Sequence, residues 1–195
     1  MEKFYLEEAS LERKDEAIEY IEEHFKYNSN IAGVSGLDDE YVNYEKWLEK
    51  LETQKDEKKS SVCVGLQYFL IRVNDNKIVG MLNLRWNLNE WMLTHGGHIG
   101  YGVRPTERRK GYNKINLYLS LLKAKELGID NVLLTAFDNN PGSIKTIEAL
   151  GGILENKIEV EGKDSLKGRY WINVDEAIEK YKNEYEKYIA KEKVR

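Results

Sequence analysis

The sequence predicts a mixed α/β protein, and three observations carry that prediction. Hydrophobic spacing is helical in the first third and changes to runs rich in β-branched and aromatic residues in the middle. Later, a short apolar run at 132–137 stands between two helical segments, as a strand covered on both faces would. Finally, the two prolines, Pro105 and Pro141, fall between periodic segments and not inside them. The order is helices, antiparallel strands, then strand–helix–strand–helix–strands, which builds a sheet with helices packed on it.

Each element has a local cause. At residues 15–25, Ala17, Ile18, Ile21 and Phe25 recur at helical spacing, while Glu16, Glu19, Glu22 and Glu23 take other faces. Residues 28–40 hold Gly33, Ser35, Gly36, Asp38 and Asp39 and read as a loop. A second helix follows at 41–51 through Tyr44, Trp47, Leu48 and Leu51, and the polar tract 53–60 ends it. Residues 62–73 and 78–86 form a hairpin about the turn Asn74–Lys77. The strand 98–103 then runs into Pro105. Residues 112–127 are apolar almost all round, which marks a buried helix, and Gly128 closes it. After strand 132–137, Asn140 caps a helix whose first residue is Pro141 and whose end is Gly151-Gly152. Residues 153–160 and 169–174 read as a last hairpin. Asn173 and Glu176 then open an amphipathic helix, so residues 1–174 are expected as one domain and 175–195 as a C-terminal helix. Its stripe of Ile178, Tyr181, Tyr185, Tyr188 and Ile189 would dock on the same domain or on the partner subunit of a homodimer.

Composition narrows the function. Thirty basic residues against thirty-four acidic ones leave a net charge of −4, unlike the basic excess of a nucleic-acid binder. A single cysteine, Cys63, cannot form an internal disulfide or a cysteine-based zinc site, so a reducing compartment is the simplest context. There is no signal-like start, and no apolar run nears the roughly 18 residues that span a bilayer. A soluble, cytoplasmic protein with no membrane partner is the expectation.

The chemistry concentrates in residues 97–113. There a strand is followed by a basic, glycine-containing loop and the start of a buried helix. Unpaired N–H groups and the partial positive charge of a helix start hold phosphate. Gly111 allows close backbone approach, and Arg108, Arg109 and Lys110 add charge where a diphosphate would sit. Neither the three-glycine dinucleotide fingerprint nor Gly-Lys-Ser/Thr is present.

This stretch resembles the central motif of the GCN5-related N-acetyltransferase (GNAT) superfamily, Gln/Arg-x-x-Gly-x-Gly/Ala after a strand ending in valine. Arg108-Arg109-Lys110-Gly111-Tyr112 fits it, and Asn113 replaces the usual small residue. The strand 132–137, Asn140, Ser143 and the helix ending Gly151-Gly152 continue the family order. The resemblance implies a mostly antiparallel sheet splayed at a parallel strand pair, with helices on both faces. It also implies acetyl-CoA as cosubstrate and no metal. The pyrophosphate would lie on Arg108, Arg109, Lys110, Gly111, Tyr112 and Asn113, and the pantetheine arm along Tyr101, Gly102 and Val103. Asn140 and Ser143 would help hold the arm, and Gly100 and Gly102 would keep the cleft floor open.

Acetyl transfer to an amine needs an uncharged nucleophile, stabilisation of an oxyanion and a proton for the leaving thiolate. By resemblance, a backbone N–H near Tyr101–Val103 stabilises the oxyanion. Ile147 occupies the position of the family's tyrosine acid, so the proton must come from elsewhere. His98, with an intrinsic pKa near 6.5, is the candidate base, with Glu90 and His95 as alternatives. Acceptor recognition falls to the irregular segments 28–40 and 87–94 and to the last hairpin's turn. Arg85 would pair with a substrate carboxylate or with one of the loop acids. The expected acceptor is a small-molecule or peptide amine; a non-catalytic acyl-CoA sensor of the same fold is the rival reading.

Overall fold

A computed structural model describes residues 1–60 and 62–190. The last five residues of the expected C-terminal segment 175–195 lie outside the described residues. The strands are β1 (Phe4–Glu8), β2 (Val64–Arg72), β3 (Lys77–Trp86), β4 (Ile99–Val103), β5 (Asn131–Phe137), β6 (Ile153–Ile158) and β7 (Lys167–Asn173). The helices are α1 (Lys14–Lys26), α2 (Leu37–Glu40), α3 (Tyr44–Gln54), α4 (Tyr112–Glu126), α5 (Pro141–Ala149) and α6 (Val174–Tyr185).

Two antiparallel sheets carry the fold, ordered β1-β2-β3-β4 and β5-β7-β6. Alternation along β2 splits the core in two. Phe69 and Ile71 pack with Tyr20, Ile21, Leu37, Tyr44 and Trp47 from α1, α2 and α3. Tyr68 and Leu70 face a larger core shared with α4, α5, α6, β5 and β7. Helices therefore cover both faces. A register shift opposite Leu70/Ile71 lets Ile78 face the first core while Leu82 and Leu84 face the second. Helix α4 is the central pillar: Leu117, Tyr118 and Leu121 are fully buried, each contributing about 1.5–3 kcal/mol.

The structure corrects several expectations. The first third is not helical throughout, because Phe4–Glu8 forms an edge strand on β2. The 28–40 loop contains α2, and the 87–94 loop runs into a π-helical turn, Met92–Gly96. The splay is complete enough that β4 and β5 share no ladder; they belong to separate sheets joined through α4. One backbone bond stitches the entry of β4 to β5, His98 N–H to Leu133 O at 2.8 Å.

Helix α6 packs on α4 of the same chain, with Tyr185 stacked on Tyr118 at 5.2 Å. Its cap is the expected one: Asn173 Oδ1 accepts the Glu176 N–H at 3.0 Å. Beyond it, Ile189 bridges Phe4 and the Ala190 N–H donates to Phe4 O at 2.8 Å, covering the outer edge of β1. Among the described residues no helix is long and apolar enough to cross a membrane.

Candidate active site

Strand β4 sets the geometry. The Arg104 N–H donates to Val79 O (3.0 Å) and the Arg85 N–H to His98 O (2.7 Å), so the even-numbered positions pair with β3. The odd-numbered residues Ile99, Tyr101 and Val103 consequently turn their N–H and C=O groups toward the splay. A free strand edge of that kind pairs with an amide-bearing chain as an added strand would. Gly102, by the same alternation, offers its backbone to β3 and not to the cleft.

The floor glycines also have a different cause from the one expected. A Cβ on Gly102 would stand 2.7 Å from Ala32 O. Gly33, itself at φ +76°, approaches so closely that its Cβ would lie 2.6 Å from Tyr101 Cα. Segment 32–33 therefore lies directly on β4, and glycine is demanded by contact, not by an open cleft.

The basic loop follows. Pro105–Glu107 is a 3-10 turn, and Arg109 (φ +65°) and Gly111 (φ +84°) flank Lys110, whose φ is negative. These two left-handed residues turn the chain into the first turn of α4, which has no side-chain cap and leaves N–H groups available to an anion. A Cβ on Gly111 would meet nothing within 4 Å, so the approach is open to solvent. Arg108, Arg109 and Lys110 are exposed. Arg108 Nε donates to Val103 O (3.3 Å) and Nη2 to Ser29 Oγ (2.6 Å), while Lys110 Nζ reaches Glu107 (2.7 Å). Tyr112 is buried under the loop against Phe4. Asn113 is half-buried, with Oδ1 buried and unpartnered, an acceptor that a bound donor could satisfy. The donor set suits a diphosphate, so this part of acetyl-CoA fits the residues present.

Across the gap, Asn140 Oδ1 accepts the Ser143 N–H at 3.2 Å and caps α5. Tyr101 Oη lies 3.1 Å from Ser143 Oγ, so a hydroxyl pair spans β4 and α5. Burial pushes the Tyr101 phenol well above its ordinary range, opposed by the Ser143 hydrogen bond, and keeps it protonated at neutral pH. Ile147 is fully buried in the core and offers no proton.

His98 does not have the arrangement a base needs. Its Nδ1 accepts the Leu133 N–H at 2.9 Å, which places the ring proton on Nε2. Burial, reinforced by the Arg85 charge, pulls its pKa down to about 4. The imidazole is therefore a neutral clasp between the sheets with its basic lone pair already used. Glu90 is exposed, at the start of the turn that leads to His95. His95 stacks on Trp91 (5.4 Å), and its Nδ1 is buried and unpartnered. That turn is clipped to β7: Lys167 Nζ donates to His95 O (3.0 Å) and Arg169 Nη1 to Thr94 O (3.1 Å).

Some contributors had little sequence signal. Arg104 is fully buried, paired through Nη1 with Glu19 (2.9 Å) and Glu23 (3.1 Å), over the Tyr20 ring. Glu23 also accepts from the Thr106 N–H (2.9 Å), so α1 holds the start of the basic loop. Asn116, fully buried, donates to Met81 O (3.3 Å); a polar residue inside an apolar helix was its one signal. No group of three or more potential metal-ligating side chains occurs among the described residues.

Comparison with known proteins agrees with this geometry. No curated protein matches the chain by sequence. A ribosomal-protein-S5-alanine acetyltransferase from Vibrio fischeri superposes with a TM-score of 0.67 at 15% identity, over 90% of this chain and 95% of that one. Mutant forms of the spermidine/spermine N-acetyltransferase SpeG from Vibrio cholerae superpose at 0.63 and 13% identity, over 91% and 98%. The microcin C7 self-immunity acetyltransferase MccE, solved with acetyl-CoA and AMP, gives 0.65 at 15% identity, over 88% and 92%. These likenesses establish the fold. Residues 34–151 match the sequence pattern of the acetyltransferase (GNAT) family, and the chain belongs to that family.

Proposed function

We propose that this protein transfers the acetyl group of acetyl-CoA directly to a primary amine of a small-molecule or peptide acceptor. The observation that carries the reading is the pairing of the basic turn 108–111 and uncapped start of α4 with the odd-numbered edge of β4. Arg108, Arg109, Lys110 and the N–H groups of Gly111, Tyr112 and Asn113 would hold the diphosphate. Tyr101 and the Val103 N–H would pair with the amide-rich arm, the Val103 carbonyl being engaged by Arg108, and Asn140 and Ser143 would border it. Acetyl-CoA supplies the activated acyl group. The chain's own part is to orient it and to offer an N–H where negative charge grows on the carbonyl oxygen.

Tyr101 Oη is the proton donor assigned to the leaving thiolate, in place of the tyrosine that Ile147 replaces. His98 is assigned to structure, not to proton abstraction. The acceptor amine then loses its proton through water or an exposed group such as Glu90.

Gly111→Val tests the loop. A side chain at φ +84° there is strained but meets no neighbour. Acetyl-CoA affinity by titration calorimetry should fall at least tenfold with the fold retained by circular dichroism. Unchanged affinity would remove the loop from the site. Acetyl-CoA binding with no thiol release across a broad amine panel would favour the sensor reading.

A further inference from the structure

Arg85 differs from every other arginine whose side chain is largely covered. Arg13 pairs with Glu7 and Glu16, Arg72 with Asp75 and Glu107, Arg104 with Glu19 and Glu23, and Arg169 with Glu155. Arg85 is half-buried on β3 opposite Gly65, and among the described residues its side chain has no ion pair or hydrogen bond. Its Nε is buried without a partner. The nearest titratable groups supply no negative charge at neutral pH. Burial raises the Cys63 thiol and keeps it protonated, and His98 is neutral. A covered cation with no counter-charge is costly, and an anion delivered from outside would offset that cost.

Position says which anion. The guanidinium extends over Gly100, where a Cβ would stand 3.4 Å from Nη2. Gly100 immediately precedes Tyr101, whose N–H faces the splay. One strand residue is about 3.3 Å, so on the acetyltransferase reading a group on Arg85 would lie within a few bonds of an acetyl carried beside Tyr101. Gly65 lies under the aliphatic stem, where a Cβ would stand 3.3 Å from the Arg85 Cγ, and the Gly33 backbone borders the fork's other side, 3.6 Å from a Cβ on Gly100.

We propose that Arg85 anchors a carboxylate carried by the acceptor, so that the enzyme acetylates amines with a carboxylate a few bonds away. Amino acids fit this description and polyamines do not. The inference rests on the acetyltransferase reading above. A planar guanidinium can take a carboxylate through two parallel hydrogen bonds, which an ester or a simple amine cannot provide.

The test is a matched set of free amino acids, their methyl esters and their decarboxylated amines. Thiol release is followed for the wild type, Arg85→Gln and Arg85→Lys, with acetyl-CoA affinity measured by calorimetry. The wild type should prefer the acids over their esters at least tenfold in kcat/KM. Arg85→Gln should abolish that preference through KM while acetyl-CoA affinity stays unchanged, and Arg85→Lys should restore part of it. Equal use of acids and esters by the wild type, or a preference that survives in Arg85→Gln, overturns the anchor. If Arg85→Gln does not fold, the wild-type preference decides alone. Acetyl-CoA binding without turnover of any carboxylated amine overturns the anchor only. Absence of acetyl-CoA binding sinks the acetyltransferase reading with it.

Discussion

At its far end β4 runs into Arg104, whose guanidinium is fully buried and held by two carboxylates of α1. At its entry it begins beside Arg85, which has no acid partner among the described residues, and His98, whose one basic lone pair is already engaged. The same residue type serves two ends of one five-residue strand under opposite conditions. Where charge is matched inside the chain, it fixes the loop that would carry the diphosphate. Where charge is left unmatched, at Arg85, the proposed counter-charge comes from the acceptor. Substitution should therefore cost stability at the first end and selectivity at the second.

The largest effect is expected at the matched end. Arg104→Met should destabilise the protein by about 3 kcal/mol, because it leaves the nearly covered Glu23 carboxylate without its cation. Chemical denaturation reads this directly. A loss below about 1 kcal/mol would mean that the pair behaves as a surface bridge and that the two ends do not differ.

Between the ends, Tyr101→Phe removes only the hydroxyl that meets Ser143. If that hydroxyl protonates the thiolate, kcat should drop on the order of 100-fold, with acetyl-CoA affinity changed less than twofold. A mutant with undiminished kcat would send the proton to solvent.

The smallest change is expected at His98. His98→Asn keeps an acceptor for the Leu133 N–H and should retain activity within about threefold, whereas His98→Ala should lose stability and activity together. A true base would make both equally inactive. The pH dependence follows in sign. The pKa of His98 and that of His24, a buried histidine on α1, are held down to about 4. As pH falls below about 6.5 the unfolded chain takes up protons that the folded one refuses. Stability from these groups is complete above pH 6.5 and is lost between there and pH 4. His98→Asn should flatten part of that slope, measured by thermal midpoints, and leave the His24 part.

Legibility from sequence divides along the same strand. The basic loop, the buried helix after it and the Asn140 cap were all visible, because each follows from local chemistry within a few residues. Strand β1 was not. Five residues at a sheet edge, Phe-Tyr-Leu-Glu-Glu, carry a weak alternation, and their pairing partners stand sixty or more residues away. Gly33 was visible as a loop glycine, but its contact with Tyr101 depends on tertiary approach. His98 depends on the fold in a similar way: its type suggested a base, and only the tertiary structure shows its Nδ1 engaged by the Leu133 N–H. Arg85 had two readings, a substrate carboxylate or a loop acid, and the sequence did not choose, since the absence of an acid beside it is a property of the whole fold.

The pairing of Ile189 and Ala190 with Phe4 has a kinetic consequence. The outer edge of the first strand is completed by some of the last described residues. While a ribosome is still making that tail, β1 presents unpaired backbone on one side, open to strand addition by neighbouring chains. The closure also joins positions at nearly the greatest sequence separation the described chain allows, a contact whose loop entropy delays it. Until residues 189 and 190 are made, the chain thus carries an open seam along β1 in addition to the free edge of β4. That seam, and not the core, is where a chaperone would have most to protect.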